Sequence, residues 1–511
     1  MHFDITIIGY GVIGTETLFK ITEKFNKKQK LKIAIIEKNL NHIPGGVAYS
    51  KNSSKFGFFN NPLRLSNLEF VKWIKKKKNL IRLSKFISSN KDFNLNNWLQ
   101  DSNILNKKVK DFNELYLPRL SYSFFLEDKI KSTLENISKK KIILKFLQGE
   151  VQTVSKNNHF ICKSKHALSE CKLTLAKSKI SLKKTKKKLK FISTKKIVLG
   201  NGLLPPKTIY EKNKFINKNY IWDFYTEGGT LNLIKKIKRI KKNKKKIKLV
   251  FIGNKAGLLE TMPELENFIS KNKIKLKIIT ISPNKLSLEK AENSSKFKFY
   301  KFKYFVNKKI NTLIKSREIL NLLVKEFSYA INKGFNKYDV WTWVLKKNLI
   351  FKCYKRLSAR EKSIYNEKIF PQIRNLTRYT YPNTIYAKER LLRKNLLLFI
   401  KDKVVKLKKY KKYIVVYTKN SRKILGDIVI NVSGPINLDS ITNESPFISS
   451  VKKINVNYNY RGFIADNNFS IAKNLYAPGT ISSNFNPNRL TIIRAVTENS
   501  HRVANHLLRS F

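Results

Sequence analysis

Residues 5 to 21, ITIIGYGVIGTETLFKI, constrain this chain more than any other stretch. An apolar strand runs into Gly9, Gly11 and Gly14 in the spacing GxGxxG and continues at once with helical periodicity. Each glycine has a physical reason. Gly9 permits the tight turn, Gly11 lacks a Cβ so that backbone can approach a pyrophosphate, and Gly14 lets helix and sheet pack closely. The amides at the helix head, from Val12 and Ile13 onward, and the positive end of the helix dipole then favour phosphate charge. The next apolar strand, LKIAIIEKN, ends in Glu37, 23 residues beyond Gly14. That is close to the spacing of about 20 at which an acid accepts the ribose hydroxyls of an adenosine. Glu37, followed by Lys38, also argues against a 2′-phosphate on this nucleotide, because the negative charges repel.

The same pattern returns once. KLVFIGNKAGLLETMPEL offers a second strand and turn, with Gly253 as its first glycine and Glu260 as a trailing acid. Here Lys255 stands where the middle glycine belongs, and its side chain obstructs close approach of a pyrophosphate. Two readings stay open: the ammonium contacts the phosphate itself, or the second unit has lost its nucleotide. Ser282 and Lys285, in TISPNK after the following strand, are candidates for a 2′-phosphate. The expected fold is therefore α/β, with two Rossmann-like dinucleotide-binding units.

Between the units, residues 66 to 135 read as mainly helical. Residues 148 to 199 read as β-prone stretches separated by lysine clusters that face water, an antiparallel meander ending in the buried strand KKIVLGNG. Ile310, Leu313, Ile314, Ile319, Leu320, Leu323, Val324 and Phe327 follow helical spacing and read as core. A final helix is expected from about Arg489 to Leu508. The expected division is 1–205 for the first part of the N-terminal dinucleotide-binding unit, with its helical insertion and meander, 206–410 for the second dinucleotide-binding-like unit with a helical insertion, and 411–511 for the closing part of the first unit.

At 511 residues with 42% hydrophobic content, the chain can bury two or three cores. Its net charge of +72, from 106 basic and 34 acidic residues, would ordinarily suggest a polyanionic partner. The lysines are spread over every segment, however, and accompany heavy use of Asn, Ile, Phe and Tyr. A compositional bias explains that whole set, so no specific nucleic-acid partner is expected. No run reaches the roughly 18 apolar residues of a membrane helix. A strand from residue 3, with no apolar leader before it, sets the expectation of a cytoplasmic protein without membrane insertion. Three scattered cysteines, Cys162, Cys171 and Cys353, make neither a CxxC redox pair nor a metal site, and the six histidines form no ligand pair. No HExxH, GxSxG or Walker motif offers a rival chemistry, and no catalytic acid or base is identified.

In order along the chain, GGVAYS at 45 to 50, NNPLRLSN at 60 to 67, LPRLSY at 117 to 122, IVLGNGLLPP at 197 to 206 and DIVINVSGP at 427 to 435 resemble a family of bacterial FAD/NAD(P)-binding proteins. These are relatives of the flavin-dependent N-hydroxylating monooxygenases. The resemblance spans nearly the whole chain and rests on the order of short motifs. It implies that Gly45, Gly46 and Tyr49 lie beside the flavin, with Asn61 in the segment that follows. Arg119 is implied to balance a phosphate or flavin charge, and Val151 to offer a backbone contact to adenine. Gly200 and Gly202 are implied where the chain crosses back towards FAD, and Gly434 and Gly479 in the closing segment. LYAPGTISSN lacks the family's Gly-Asp pair, so Thr480 or backbone amides would substitute. The implied cofactors are FAD and, through the second unit, NAD(P)H, with a small-molecule substrate. Three functions follow: an NAD(P)H-using flavin oxidoreductase, monooxygenase-like; a flavin protein with a decayed nicotinamide site, reduced by a partner; and, from another class, a basic nucleic-acid-binding protein. Substrate identity and oligomeric state are not legible.

Overall fold

In this computed structural model the described residues are all those of 1–511 except 52–56, 91–92, 107–108, 177–178, 208, 210–216, 255, 273, 284–288, 291–299, 378, 442–444, 484–491 and 510–511. The first unit opens with β1 (His2–Ile8), α1 (Val12–Lys24) and β2 (Leu31–Glu37), then the short α2 (Gly46–Tyr49). A helical insertion follows, with α3 (Leu68–Ile74), α4 (Lys77–Ser89), α5 (Phe93–Ser102) and α6 (Leu120–Ser138). Next come β3 (Ile142–Gln148), β4 (Val151–Lys156), β5 (Phe160–Ala176) and β6 (Lys179–Leu199).

The second unit contains β7 (Tyr220–Ile221), α7 (Gly229–Lys241), β8 (Lys246–Ile252), α8 (Ala256–Asn272) and β9 (Lys275–Ser282). Its insertion carries the parallel pair β10 (Glu289–Lys290) and β11 (Tyr379–Thr380). The helices there are α9 (Asn307–Asn311), α10 (Ser316–Asn332), α11 (Lys337–Lys346), α12 (Leu349–Arg356), α13 (Ala359–Ile364), α14 (Phe370–Leu376) and α15 (Pro382–Arg393). Strands β12 (Leu397–Lys401), β13 (Val404–Tyr410), β14 (Tyr413–Thr418), β15 (Lys423–Gly426) and β16 (Ile428–Asn431) complete it. The chain then closes with α16 (Pro446–Lys452), β17 (Tyr458–Asn459), β18 (Gly462–Phe463), β19 (Ser470–Ala472), β20 (Leu475–Tyr476) and α17 (Ile492–Leu508).

The first sheet has eight strands in the order β19-β20-β6-β1-β2-β3-β5-β4. Strands β20, β6, β1, β2 and β3 run parallel, and β4, β5 and β6 supply the antiparallel part. Ile5, Ile7, Ile33 and Ile35 are fully buried in its centre, as the continuous apolar runs of β1 and β2 require when helices cover both faces. The second sheet is all parallel, β12-β9-β8-β16-β7. This is the two-unit α/β arrangement, with meander and helical insertions, expected from the sequence.

Three expectations need correction. The second unit does not end at residue 410: β16, which is buried throughout, sits between β8 and β7, so an apolar strand placed in the closing part completes the second sheet instead. The chain passes between units on two antiparallel segments, where Pro206 pairs with Pro435 and the Ile436 N–H donates to Pro205 O at 2.8 Å. Second, residues 310 to 327 are not one helix. The Glu318 carboxylate accepts from the Ile314 and Lys315 amides at 2.9 and 2.7 Å and so starts α10 afresh at Ser316. Ile314 and Val324, read as core, are exposed by that break and by the face α10 presents. Third, the lysine clusters after residue 179 do not separate strands; β6 runs unbroken, and Lys196 within it is buried, donating to Leu507 O at 3.3 Å. Among the described residues, no helix is long and apolar enough to cross a membrane.

Candidate dinucleotide sites

At the first turn Gly9 has φ +94°, which only glycine adopts without strain, and its N–H donates to Ile36 O at 2.8 Å. A Cβ on Gly9 would come 2.6 Å from Gly200 O, and one on Gly14 would come 2.3 Å from Gly9 O. Turn, helix head and return strand are thus packed backbone to backbone. Gly11 differs. It faces Gly45 and Gly46 at ordinary contact distances, with Gly46 Cα 3.5 Å from the position of a Cβ. Two backbones without side chains face one another at the head of α1. That helix has no side-chain cap and no acid in its first turn, so its leading amides are left to an anion.

Glu37 ends β2 with its carboxylate already oriented. It accepts from the Tyr10 N–H at 2.8 Å and the Asn39 N–H at 2.9 Å. These bonds tie the acid to the glycine turn and leave lone pairs for the ribose hydroxyls of a nucleotide. Lys38 points away and pairs with Glu150 at 2.8 Å on the surface. Val151, the next residue, is buried at the start of β4, and Gly149 N–H donates to Glu37 O at 3.0 Å, so the outer end of the candidate site is joined to β2.

The remaining candidates distribute over three places. Gly202, Gly479 and Thr480 converge on the first turn: Thr480 Oγ1 donates to Gly202 O at 3.1 Å, and a Cβ on Gly479 would press on Ile13 Cδ1 at 2.4 Å. Tyr49, at the end of α2, stacks on Phe59 at 5.9 Å, and Asn61 lies half-buried in the turn after Phe59. Gly434, with φ +95°, lies instead on the returning segment between units, where its carbonyl accepts from the Lys207 N–H at 3.4 Å. Arg119 is engaged with Glu260 of α8. Lys255 and Lys285 lie outside the described residues.

The residues present suit the ADP part of FAD. A Cβ on Gly202, at φ +77°, would meet nothing within 4 Å, so space opens where the chain crosses back. Beside it the Asn201 Oδ1 is buried without a partner among the described residues. A buried unpaired acceptor is costly, and a bound donor would satisfy it. Asn201 is a candidate that sequence reasoning missed; its only signal was its place between two glycines of the crossing motif. Replacing Glu37 with Ala is expected to weaken FAD binding by about 10- to 100-fold, the range for losing hydrogen bonds to a charged acceptor. Titration of apoprotein with FAD, followed by flavin fluorescence, checks this.

The second turn repeats the first in its hydrogen-bond register. Gly253 has φ +103°, its N–H donates to Ile281 O at 2.8 Å, and a Cβ there would come 2.7 Å from Val432 O and 2.8 Å from Ser433 Cα. Gly253 therefore stands to Ile281 and Val432 as Gly9 stands to Ile36 and Gly200. By the same register Ser282 occupies the strand-end position that Glu37 holds in the first unit.

Residues 6–167 match the model of a protein family described as FAD-NAD(P)-binding. No curated protein matches the chain. Among solved structures, the chain resembles DfoA bound to FAD, the cadaverine monooxygenase of the desferrioxamine biosynthetic pathway of Erwinia amylovora, with a TM-score of 0.50 at 10% identity over 99% of this chain and 94% of that one. It resembles the reduced form of the ornithine hydroxylase PvdA from Pseudomonas aeruginosa with a TM-score of 0.51 at 10% identity, over 100% and 99% of the two chains. Registers, turns and comparisons agree on one architecture: this chain has the fold of the two-dinucleotide-binding flavoproteins, and its N-terminal third matches the FAD-NAD(P)-binding family model.

Proposed function

We propose that this protein is an FAD-dependent, NADPH-using oxidoreductase of monooxygenase type that acts on a small molecule in the cytoplasm. The carrying observation is the repeated turn register, Gly9 with Ile36 and Gly253 with Ile281, which provides two dinucleotide positions within one chain. A flavin bound in the first unit would accept hydride from nicotinamide and deliver electrons onward, to oxygen in a monooxygenase. The protein's own part is to hold and orient. Gly11, Gly46 and the head of α1 would receive the pyrophosphate, Glu37 the adenosine ribose, and Asn201 and Thr480 the return segment's side. The substrate classes of DfoA and PvdA, both amines, support a small-molecule substrate, and the spread of lysines over all segments speaks against a nucleic-acid groove.

Dithiol chemistry finds no exposed cysteine to act as nucleophile. All three cysteines are buried, and burial pushes the Cys162 and Cys353 thiols up to about 12. Preference for NADPH follows from Ser282, which puts a neutral hydroxyl where Glu37 puts a charge. Ser282→Asp is expected to raise the NADPH KM at least tenfold and leave that for NADH within threefold, measured by initial-rate kinetics. The second reading, a flavin protein reduced by a partner, is favoured by one observation, the lysine at position 255 in place of the middle glycine. Anaerobic addition of NADPH to the yellow protein separates the two: bleaching of the flavin spectrum supports the first, and an oxidised spectrum after prolonged incubation supports the second. A folded, colourless protein that refuses FAD sinks both.

A further inference from the structure

Arg119 stands at the start of α6 with its backbone fixed to the first unit, its N–H donating to Gly57 O at 2.8 Å and its Nε to Phe58 O at 3.0 Å. Its Nη2 is ion-paired with Glu260, on the helix that carries the second glycine turn at its head. The two side chains are only 15% and 12% exposed. Tyr225 lies beside the pair, its hydroxyl within electrostatic reach of both Arg119 and Glu260. Gly257, one turn earlier on α8, makes room for that hydroxyl: a Cβ there would lie 3.4 Å from it and 3.0 Å from the Val432 side chain. Tyr49, which follows the Gly45–Gly46 pair facing Gly11, lies within electrostatic reach of both charges. One largely buried ion pair therefore connects the loop beside the first turn to the helix behind the second.

We infer that Arg119 and Glu260 are positioning residues that fix the separation and angle between the two nucleotide turns, and that Arg119 spends its charge on this rather than on a cofactor phosphate. The inference rests on the proposed function. Apolar surfaces tolerate sliding by an ångström, but a buried guanidinium–carboxylate pair does not, because its strength depends on directed hydrogen bonds and its loss strands a charge away from water. Hydride transfer is sensitive to displacement on that scale, with a 1 Å misplacement costing on the order of 100-fold in rate.

The test uses the FAD-loaded full chain with Arg119→Met, Arg119→Lys and Glu260→Gln, the last keeping volume and hydrogen-bonding capacity should the first fail to fold. Bound FAD is expected to stay at the wild-type ratio. The limiting rate of anaerobic flavin reduction at saturating NADPH is expected to fall about 100-fold in Arg119→Met and Glu260→Gln. Apparent KM should move by less than threefold, and Arg119→Lys should recover at least a tenth of the lost rate. Backbone hydrogen exchange across 256–272, measured without nicotinamide nucleotide, is expected to quicken about tenfold in both disrupting variants. Unchanged exchange in Glu260→Gln overturns the inference, as does loss of FAD from Arg119→Met with reduction of the remaining holoprotein unimpaired. If wild-type protein is not reduced by NADPH, the functional reading fails, and the exchange measurement alone decides the positioning role.

Discussion

Gly11→Ala is expected to yield a folded protein without flavin, whereas Gly9→Ala and Gly14→Ala lose both flavin and stability. The difference follows from what each added methyl would meet. At Gly11 the backbone has φ −79°, outside the left-handed region, and the nearest atom to a Cβ is Gly46 Cα at 3.5 Å. The protein accommodates that methyl, but it then occupies the gap between two bare backbones at the head of α1, where a pyrophosphate would lie. FAD affinity should fall at least 100-fold with the thermal midpoint nearly unchanged. At Gly14 the Cβ would stand 2.3 Å from Gly9 O, and at Gly9 it would stand 2.6 Å from Gly200 O on a backbone with φ +94°. Neither backbone oxygen can move without breaking β1 from β6 or α1 from the turn. The combined cost of left-handed strain and overpacking is about 2–6 kcal/mol at Gly9. Visible flavin absorbance of the purified variants, paired with thermal denaturation, distinguishes the classes. An Ala at Gly11 that retains FAD would remove the first turn from the cofactor site.

The contrast also explains which parts of the molecule could be read in advance. Gly9, Gly14 and Glu37 are legible because their roles are set by neighbours in the same strand, turn and helix. The pairing of Gly9 with Gly200 follows once β6 is recognised as the return strand. The boundary of the second unit was not legible. Whether the apolar run at 428–431 lies in the first sheet or the second depends on which pair of parallel strands receives it, and both were available. Ile314 shows a different limit: its spacing fits a helix, but Glu318 caps two amides and cuts that helix, a local competition that periodicity does not detect. The most consequential omissions are charged. Arg119 with Glu260, and Glu16 with Lys129, join residues more than a hundred positions apart. In a chain with 106 basic residues nothing marks Arg119 and Lys129 as ones that pair with a distant acid away from water.

Lys129 is the second of these, and removing it should cost the first unit much of its stability. Glu16, fully buried on α1, receives the Lys129 ammonium at 2.6 Å from α6, His501 Nε2 at 3.0 Å from α17, and the Tyr122 hydroxyl at 3.3 Å. Lys129 also pairs with Glu69 at 2.6 Å. Three helices thus meet at one carboxylate behind the glycine turn. Burial alone would raise the Glu16 carboxyl, but the Lys129 charge and the hydrogen bonds from His501 and Lys129 outweigh it and hold the group below its ordinary value of 4.5. Burial likewise opposes the Lys129 charge, and Glu16 and Glu69 together raise it above its ordinary 10.5. Lys129→Met leaves a buried, incompletely paired carboxylate and is expected to cost about 3–5 kcal/mol at neutral pH. The pH dependence fixes the cause. A depressed carboxyl contributes stability that is fully present above its unfolded pKa, near 4.5, and is lost as pH falls through the lower folded value. A raised ammonium contributes stability that is present below about 10.5 and is lost as pH rises through the higher folded value. The deficit of Lys129→Met should therefore be widest between these limits and narrow at both ends, in denaturant titrations at matched ionic strength. Adding Glu16→Leu to Lys129→Met should return part of the loss, since the double variant strands no charge. A deficit that stays constant from acid to alkali, or a double variant as costly as the sum of the single ones, would mean that the stem of Lys129 packs and its charge does not matter.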